Sequence, residues 1–244
     1  MANAFAEKLG RRAVLSAEDI AVIEAACAPA RSHPAKQDLI REGDEPGPAF
    51  VFLEGWGCRY KLLPEGGRQV LSFMMPGDFC DLHTTLLNEM DHTIATVTRS
   101  LVVAIPRSRM QEMAETRPRI SKAFRLIQLV DLALARSWIA NIGRRGSAER
   151  LAHLMCEIYH RANHNRPIGN GHCAMPISQI LLADALGLTP VHVNRVLRSF
   201  KAAGLMKLER GELVMMDLPQ LMSIAGFSER YLQRRKGAGR SKTV

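Results

Sequence analysis

The sequence lacks the features that mark membrane and secreted proteins. No run of about 18 apolar residues occurs, which excludes a membrane-spanning helix. The N-terminal residues MANAFAEKLGRR contain no apolar stretch of the signal-peptide kind. The 5 cysteines are odd in number and stand apart, so neither a disulfide framework nor a CxxC metal site is expected. We therefore expect a cytoplasmic protein without membrane contacts, whose thiols are reduced and mostly buried.

The motifs of common enzyme classes are missing as well. There is no Walker loop, no HExxH, no GxSxG and no convincing acid–base pair, so we expect neither catalysis nor a cofactor. A zinc site would draw its donors from one group in the second half of the chain, namely His153, Cys156, His160, His164, His172 and Cys173. Because their spacing matches no known zinc finger, we expect no metal, although the sequence leaves this open.

Acidic residues are scarce in one half of the chain only. Residues 1–142 contain 17 Lys and Arg against 17 Asp and Glu, whereas residues 143–244 contain 16 against 7. The formal net charge of +9 therefore belongs entirely to the second half. A neutral half joined to a basic half indicates that only the basic half meets a polyanion, although a basic surface can also serve solubility alone.

The first half of the sequence predicts a capped helix followed by many short strands. Residues 16–28 begin with Ser16 and carry acidic residues in the first turn, as helix N-termini do. Turn-forming residues then separate β-prone segments at residues 38–41, 50–53, 58–63, 70–74, 93–98 and 101–105. Strands of this length and spacing predict an antiparallel, jelly-roll-like β-barrel.

A long helix is predicted at residues 120–141. Residues at spacings of three and four form one seam along it: Ile120, Phe124, Ile127, Asp131, Leu134, Trp138 and Asn141. Such a seam suits packing against a second copy of the helix, with Ile120, Phe124, Ile127, Leu134 and Trp138 in the dimer interface. The alternative is a helix that packs on its own barrel. The GRRG segment at 143–146 predicts a hinge after the helix.

Residues 179–198, QILLADALGLTPVHVNRVLR, fit a helix-turn-helix at each sterically constrained position. Ala183 is small where the second helix approaches, and Gly187 supplies the backbone freedom of the turn. The apolar positions are filled by Leu182, Leu186, Leu188, Val193 and Val196. A chance amphipathic helical pair remains the alternative. Two β-prone segments at 205–208 and 213–216 predict a hairpin wing behind these helices.

The second helix of this motif begins with Thr189 as cap and Pro190 at its first position. Its early side chains would enter the major groove of double-stranded DNA and read bases: Val191, His192, Asn194 and Arg195. Residues at the helix starts and farther along the second helix suit phosphate contacts: Ser178, Thr189, Arg198 and Lys201.

The chain resembles the CRP/FNR family of bacterial transcription regulators from about residue 34 to residue 226. The resemblance rests on LIREGDEPGPAFVFLEGWGCRYK, on SFMMPGDFCD, on AERLAHLM after the long helix, and on the helix-turn-helix. It implies a cyclic-nucleotide-binding-like sensor barrel, a dimerisation helix and a winged helix-turn-helix. It also implies a homodimer on two-fold symmetric DNA sites, with RNA polymerase as a partner if the protein is an activator.

The sequence departs from the family pattern at the DNA-reading positions. The family reads Glu-x-x-[Ser/Gly]-Arg where this chain has Val191-His192-Val193-Asn194-Arg195. The arginine is kept, but a valine cannot accept the hydrogen bond that glutamate takes from cytosine. We therefore expect a preferred half-site that differs from that of the well-known members.

The sensor half departs from the family pattern too. Cyclic-AMP-binding members carry Gly-Glu after the Gly-Asp-Phe turn and an Arg-Ser pair for the phosphate. This chain has Cys80-Asp81 after that turn and later Asp91-His92-Thr93, without that arginine, so cyclic AMP is not expected as effector. Cys27 stands alone where the iron–sulfur members have clustered cysteines. The candidate effector pocket comprises Cys80, Asp81, His83, His92 and Thr93, and either histidine could be a haem ligand, as in haem-sensing members. The effector stays unknown.

These observations predict an α+β protein with four parts. Residues 1–118 form the N-terminal helix and barrel, 119–142 the dimerisation helix, 143–226 the winged helix-turn-helix, and 227–244 a basic disordered tail. The expected function is sequence-specific, DNA-binding regulation of transcription. The alternative is a metabolite- or nucleotide-binding regulatory module whose helical domain contacts a protein partner.

Overall fold

The computed structural model describes residues 2–80, 88–163 and 169–233. Helices α1 (Ala4–Gly10) and α2 (Ala17–Ala26) open the chain. Ser16 caps α2, and its side chain and that of Asp19 form a reciprocal capping box, which confirms the predicted helix. Eight β-strands follow: β1 (Arg31–His33), β2 (Asp38–Ile40), β3 (Ala49–Glu54), β4 (Gly57–Leu62), β5 (Arg68–Met74), β6 (Phe79–Cys80), β7 (Thr93–Thr96) and β8 (Ser100–Ile105).

The strands form two four-stranded antiparallel sheets, in the orders β1-β8-β3-β6 and β2-β7-β4-β5. Phe52 and Val102 from one sheet pack against Met74 and Ile94 from the other in a shared apolar cluster. The α+β class and the jelly-roll-like arrangement are confirmed. The strands make two facing sheets rather than one closed barrel. We call β1–β8 the β domain.

The turn between β5 and β6 packs directly against α1, a helix that the sequence pattern did not predict. Gly77 has a φ of +86°, and a Cβ placed on it would lie 2.4 Å from the carbonyl oxygen of Ala4. The Asp78 carboxylate accepts a hydrogen bond from the Met75 backbone N–H at 2.7 Å and forms an ion pair with Lys8. Close backbone approach therefore requires glycine at this position.

Helices α3 (Arg107–Thr116) and α4 (Pro118–Arg144) connect the β domain to the rest of the chain. The five residues predicted to form the dimer interface are all buried inside the single chain: Ile120, Phe124, Ile127, Leu134 and Trp138. Phe124 stacks on Phe5 and Phe79, and Trp138 contacts Phe73. α1 and the β domain already cover this seam within one chain, and its place in a dimer interface stays a prediction.

The basic half begins at α5 (Ser147–Ala162). Gly146 is the helix cap rather than Ser147, and its N–H donates to the Glu149 carboxylate. Next come β9 (Gly171–Ala174), α6 (Gln179–Leu186), α7 (Pro190–Ala202), β10 (Met206–Glu209), β11 (Glu212–Met215) and α8 (Leu218–Ala225). The strands form a three-stranded sheet in the order β10-β11-β9, so the predicted hairpin wing has a third strand, β9.

The start of the predicted disordered tail is ordered. A 3₁₀ helix at Glu229–Leu232 follows α8, and Phe227 and Leu232 are buried. Residues 234–244 lie outside the described residues. No single helix in the described ranges is long and apolar enough to cross a bilayer. The pair α6 and α7 passes that test only when taken together across a bend of 104°.

Substitution of Gly77 by alanine tests the contact between this turn and α1. Gly66 is the matched control, because its φ of +83° is similar but no atom lies within 4 Å of an added Cβ. We expect Gly66→Ala to cost about 1–2 kcal/mol for the backbone conformation alone. Gly77→Ala should cost about 1–3 kcal/mol more because of the overlap with Ala4. Urea denaturation of both variants measures the difference, and equal losses would contradict the contact.

Candidate nucleic-acid interface

Helices α6 and α7 have the geometry of a helix-turn-helix. They meet at 104°, within the range of about 90–120° for this motif. Gly187 ends α6 in the left-handed conformation at φ 60°, and its N–H donates to the Ala183 carbonyl. Leu182, Ala183, Leu186, Val193 and Val196 are all buried. The predicted steric roles of these positions are therefore confirmed, and the two helices share one core.

Helix α7 presents a polar face to solvent while its apolar face packs inward. The Thr189 side chain caps the helix by accepting a hydrogen bond from the His192 N–H at 3.3 Å. Val191 is 79% exposed, and His192, Arg195 and Arg198 are exposed on the same side. Val193, Val196 and Phe200 occupy the buried side. Local helix periodicity thus separates the candidate DNA-contacting residues from the core.

The exposed side chains of α7 differ in how they are paired. The Asn194 amide donates to the Gln179 side chain at 3.0 Å, and Lys201 forms an ion pair with Glu209 of the wing at 2.5 Å. Among the described residues, no hydrogen bond or ion pair involves the Arg195 or Arg198 guanidinium. These two groups are charged donors available to a ligand, and guanidinium is suited to bidentate recognition of guanine and of phosphate.

The caps of both helices lie at the same exposed surface. The Ser178 Oγ accepts from the Leu181 N–H at 3.2 Å and caps α6, as Thr189 caps α7. Each hydroxyl accepts in its cap, and the Ser178 hydroxyl still has a hydrogen to donate. The Thr189 hydroxyl also lies 3.2 Å from His192 Nδ1. Helix N-termini also favour anions. The four residues predicted to contact phosphate are therefore all exposed in this structure: Ser178, Thr189, Arg198 and Lys201.

A pair of side chains connects the helix-turn-helix to the β domain. The Arg68 Nε and Nη2 atoms donate to the Asp184 Oδ2 at 2.8 and 2.6 Å, joining β5 to α6. The Gln69 amide donates to the Ala185 carbonyl at 3.4 Å beside it. The sequence analysis missed this contact, because Arg68 and Asp184 are far apart in sequence and lie on different domains.

A cluster of buried charges lies farther inside this boundary; we define it as Asp78, Glu157 and Arg161. Arg161 Nη2 donates to Asp78 Oδ2 at 2.9 Å, and Nη1 donates to Glu157 Oε1 at 3.3 Å. Glu157 has no exposed surface and also accepts from the Trp138 indole and the Tyr231 hydroxyl. Burial raises the pKa of Glu157, whereas the charge of Arg161 and these hydrogen bonds lower it.

The candidate effector residues give no open site where the structure describes them. Cys80, His92 and Thr93 are all buried, and the Thr93 hydroxyl accepts from the Glu42 N–H at 3.1 Å. Asp81 and His83 lie outside the described residues. All the cysteines are buried and outside disulfides, and burial raises the pKa of both Cys58 and Cys156 to about 12.

The histidines considered for zinc have other neighbours. His153 Nε2 lies 3.3 Å from the Ser137 hydroxyl, and its ring stacks on Tyr231. His160 Nδ1 lies 3.1 Å from a Glu229 carboxylate oxygen. Burial lowers the pKa of His153 to about 4. No group of three or more His, Cys, Asp or Glu side chains in the described ranges is placed to hold a metal ion.

Two family models match the chain. The model described as a cyclic nucleotide-binding domain matches residues 30–117, and the one described as a Crp-like helix-turn-helix domain matches residues 149–224. They coincide with the β domain and with the segment that contains α6 and α7. Their order along the chain agrees with the order of parts on which the resemblance was based.

Known proteins match most of the length of this chain. The chain is 26% identical to the transcriptional activator protein FnrL of Cereibacter sphaeroides over 200 residues, covering 80% of each chain. It is 25% identical to the nitrogen fixation regulation protein FixK of Bradyrhizobium diazoefficiens over 189 residues, covering 78% of each. The structure of FixK2 from Bradyrhizobium japonicum superposes with a TM-score of 0.71 at 21% identity, covering 82% of this chain and 98% of that one.

Proposed function

The chain belongs to the CRP/FNR family of transcription regulators, and we propose that it binds two-fold symmetric DNA sites as a homodimer in the cytoplasm. The observation that carries the proposal is the exposed face of α7, where Arg195 and Arg198 have no partner among the described residues. The excess positive charge of residues 143–244 supports it, because phosphate neutralisation supplies most of the affinity for DNA. The proposal includes no catalytic step.

We assign base reading to Val191, His192, Asn194 and Arg195, and phosphate contacts to Ser178, Thr189, Arg198 and Lys201. Arg195 lies one to two turns inside α7, where its guanidinium can reach the floor of the major groove. Arg198 follows one turn later, where a recognition helix approaches the DNA backbone. Lys201 must exchange its contact with Glu209 for a phosphate. Val191, with 79% of its surface exposed, is placed to contact a thymine methyl group.

The named relatives extend the proposal to a further partner. FnrL is named a transcriptional activator, as is the probable transcriptional activator of Rhizobium leguminosarum. We propose that this protein also activates transcription and contacts RNA polymerase. Because the segment Asp91-His92-Thr93 lacks the phosphate-binding arginine of cyclic-AMP-binding members, we propose that its effector is a molecule other than cyclic AMP.

The surface we propose for the homodimer is the outer face of α4. Leu129, Leu132 and Ile139 are 59%, 51% and 73% exposed, and with Arg125 and Arg136 they repeat at spacings of three and four. This is the spacing of a coiled-coil seam. It lies beside the buried seam that the sequence analysis chose, and it leaves the contacts of Phe124 and Trp138 inside the chain intact.

Binding-site selection with Arg195→Ala and Arg198→Ala tests the proposed function. Arg195→Ala should cost about 1–3 kcal/mol on the selected site and remove the preference at one base pair per half-site. Arg198→Ala should weaken all sequences equally and lower the salt slope by about one per half-site. Arg41→Ala, in the β domain, is the control and should change neither.

Two results would contradict these assignments. If Arg195→Ala keeps the wild-type sequence preference, then His192 or Asn194 is the main reader. If the wild-type protein shows no salt-dependent binding to DNA, the helical domain contacts a protein partner rather than DNA.

Mass measurement by light scattering tests the dimer surface. Leu132→Asp would bury a charge at the proposed interface, at a cost of about 3–5 kcal/mol if unpaired, and should convert the dimer to a monomer. Leu62→Asp is the matched control, because Leu62 is 61% exposed but lies on the β domain. A Leu132→Asp protein that keeps the dimer mass, or a Leu62→Asp protein that loses it, would place the interface elsewhere.

A further inference from the structure

We propose that the cavity between α1, α4 and the wing sheet binds a small organic anion that has an apolar body. The cavity has a volume of about 580 Å³, which is within the range of small-molecule sites. It is separate from the candidate effector residues Cys80, His92 and Thr93, none of which lines it. The inference goes beyond the proposed function and does not depend on DNA binding.

One wall of the cavity is apolar. Trp56 and Met75 come from the β domain, and Ile127, Val130 and Leu134 come from one face of α4. All of these side chains are nearly inaccessible to solvent, with Trp56 only 5% exposed. A ligand with an aromatic or aliphatic body would remove the remaining apolar surface from water, which is favourable in proportion to the area buried.

The opposite wall is cationic. Lys8 and Arg12 come from the N-terminal segment, and Arg161 comes from the end of α5. Lys8 and Arg161 both form ion pairs with the single carboxylate of Asp78, so two positive charges share one negative charge. Arg161 also forms an ion pair with Glu157, but the Glu157 carboxylate accepts hydrogen bonds from Trp138 and Tyr231 as well. An anion in the cavity would give Lys8 a second acceptor.

Arg12 is the least compensated of these cations. Its Nη1 donates to the backbone carbonyls of Leu232 and Gln233, both at 2.8 Å, and its buried Nε has no hydrogen-bond partner. No ion pair involves Arg12 among the described residues. Burial lowers the pKa of Arg12, because desolvation disfavours the charged guanidinium. The nearby Asp131 carboxylate offsets this only in part, and a largely buried cation without an ion pair favours an anionic ligand beside it.

Acidic side chains at the rim do not cancel this preference. Glu7 lies 3.7 Å from Arg11, and Asp131 lies 3.7 Å from Arg59, so each already faces a cation. Glu212 also lines the cavity, on the wing side. The anionic group is therefore expected near Lys8 and Arg12, away from Glu212, and the apolar body against Trp56 and α4. A ligand in this pose would contact both the β domain and α5.

Calorimetric titration of the full chain with phenyl phosphate tests the site. Phenyl phosphate carries both required features, whereas inorganic phosphate carries only the anion and phenol only the apolar body. We expect one phenyl phosphate per chain, bound at least about tenfold more tightly than either fragment. Cyclic AMP, offered in the same titration, should not displace it.

Variants locate the bound molecule. Lys8→Met should weaken phenyl phosphate about tenfold, the loss of one charge-assisted hydrogen bond. Lys61→Met removes the same charge from a lysine that pairs with Glu42 outside the cavity, and should have no effect. Val130→Trp should fill the cavity and abolish binding. Circular dichroism identifies any variant that fails to fold, and Lys8→Met and Val130→Trp test the site independently.

A smaller neighbouring cavity of about 180 Å³ shares Asp78, Ile127 and Leu134 with the first one. Ser72 lines only the smaller cavity, and Val130 lines only the larger one. If Ser72→Phe abolishes binding while Val130→Trp retains it, the anion binds in the smaller cavity and the proposal fails. The proposal fails equally if phenyl phosphate binds no tighter than its fragments or does not bind. Equal effects of Lys8→Met and Lys61→Met would also overturn it.

Discussion

A carboxylate with no exposed surface, Glu157, determines how the helices of this chain meet. Removal of a partner from a buried charge costs several kcal/mol, so such a group must be surrounded by donors. Here the donors come from α4, from the 3₁₀ helix and from Arg161 on its own helix. Arg161 extends the cluster to Asp78 in the β domain. One buried charge thus requires α4, α5, the 3₁₀ helix and the β domain to pack against one another.

This arrangement explains why α4 has two different faces. Trp138 donates to Glu157, and Phe124 packs with Phe5 and Phe79. The seam that contains these two side chains is therefore buried inside the chain. Only the neighbouring stripe of Leu129, Leu132 and Ile139 remains exposed. A helix that carries two adjacent apolar stripes can pack on its own domains through one and meet a second copy through the other.

Local constraints made part of the structure predictable from sequence. Gly187 and Pro190 fix the helix-turn-helix through backbone geometry, and Ser16 fixes the start of α2 through its cap. The sequence did not allow us to predict whether the α4 seam packs on its own chain or on a second copy. It also did not predict the contact of Arg161 with Asp78. Both depend on residues that are far apart in sequence and meet only after folding. Strand β9 was missed because its four residues become a strand by pairing with β11.

Net charge alone would not have identified the surface that is proposed to contact DNA, because the basic half uses many cations internally. Arg145 donates to the Ala225 carbonyl at 3.0 Å, and Arg150 donates to the carbonyls of Arg145 and Leu186. These guanidiniums satisfy the carbonyls at helix ends, which would otherwise be unpaired. Arg195 and Arg198 carry the same charge but have no such role. The distinguishing property of the proposed interface is therefore a pair of guanidiniums, those of Arg195 and Arg198, that have no partner in the described part of the chain and lie on one face of a capped helix.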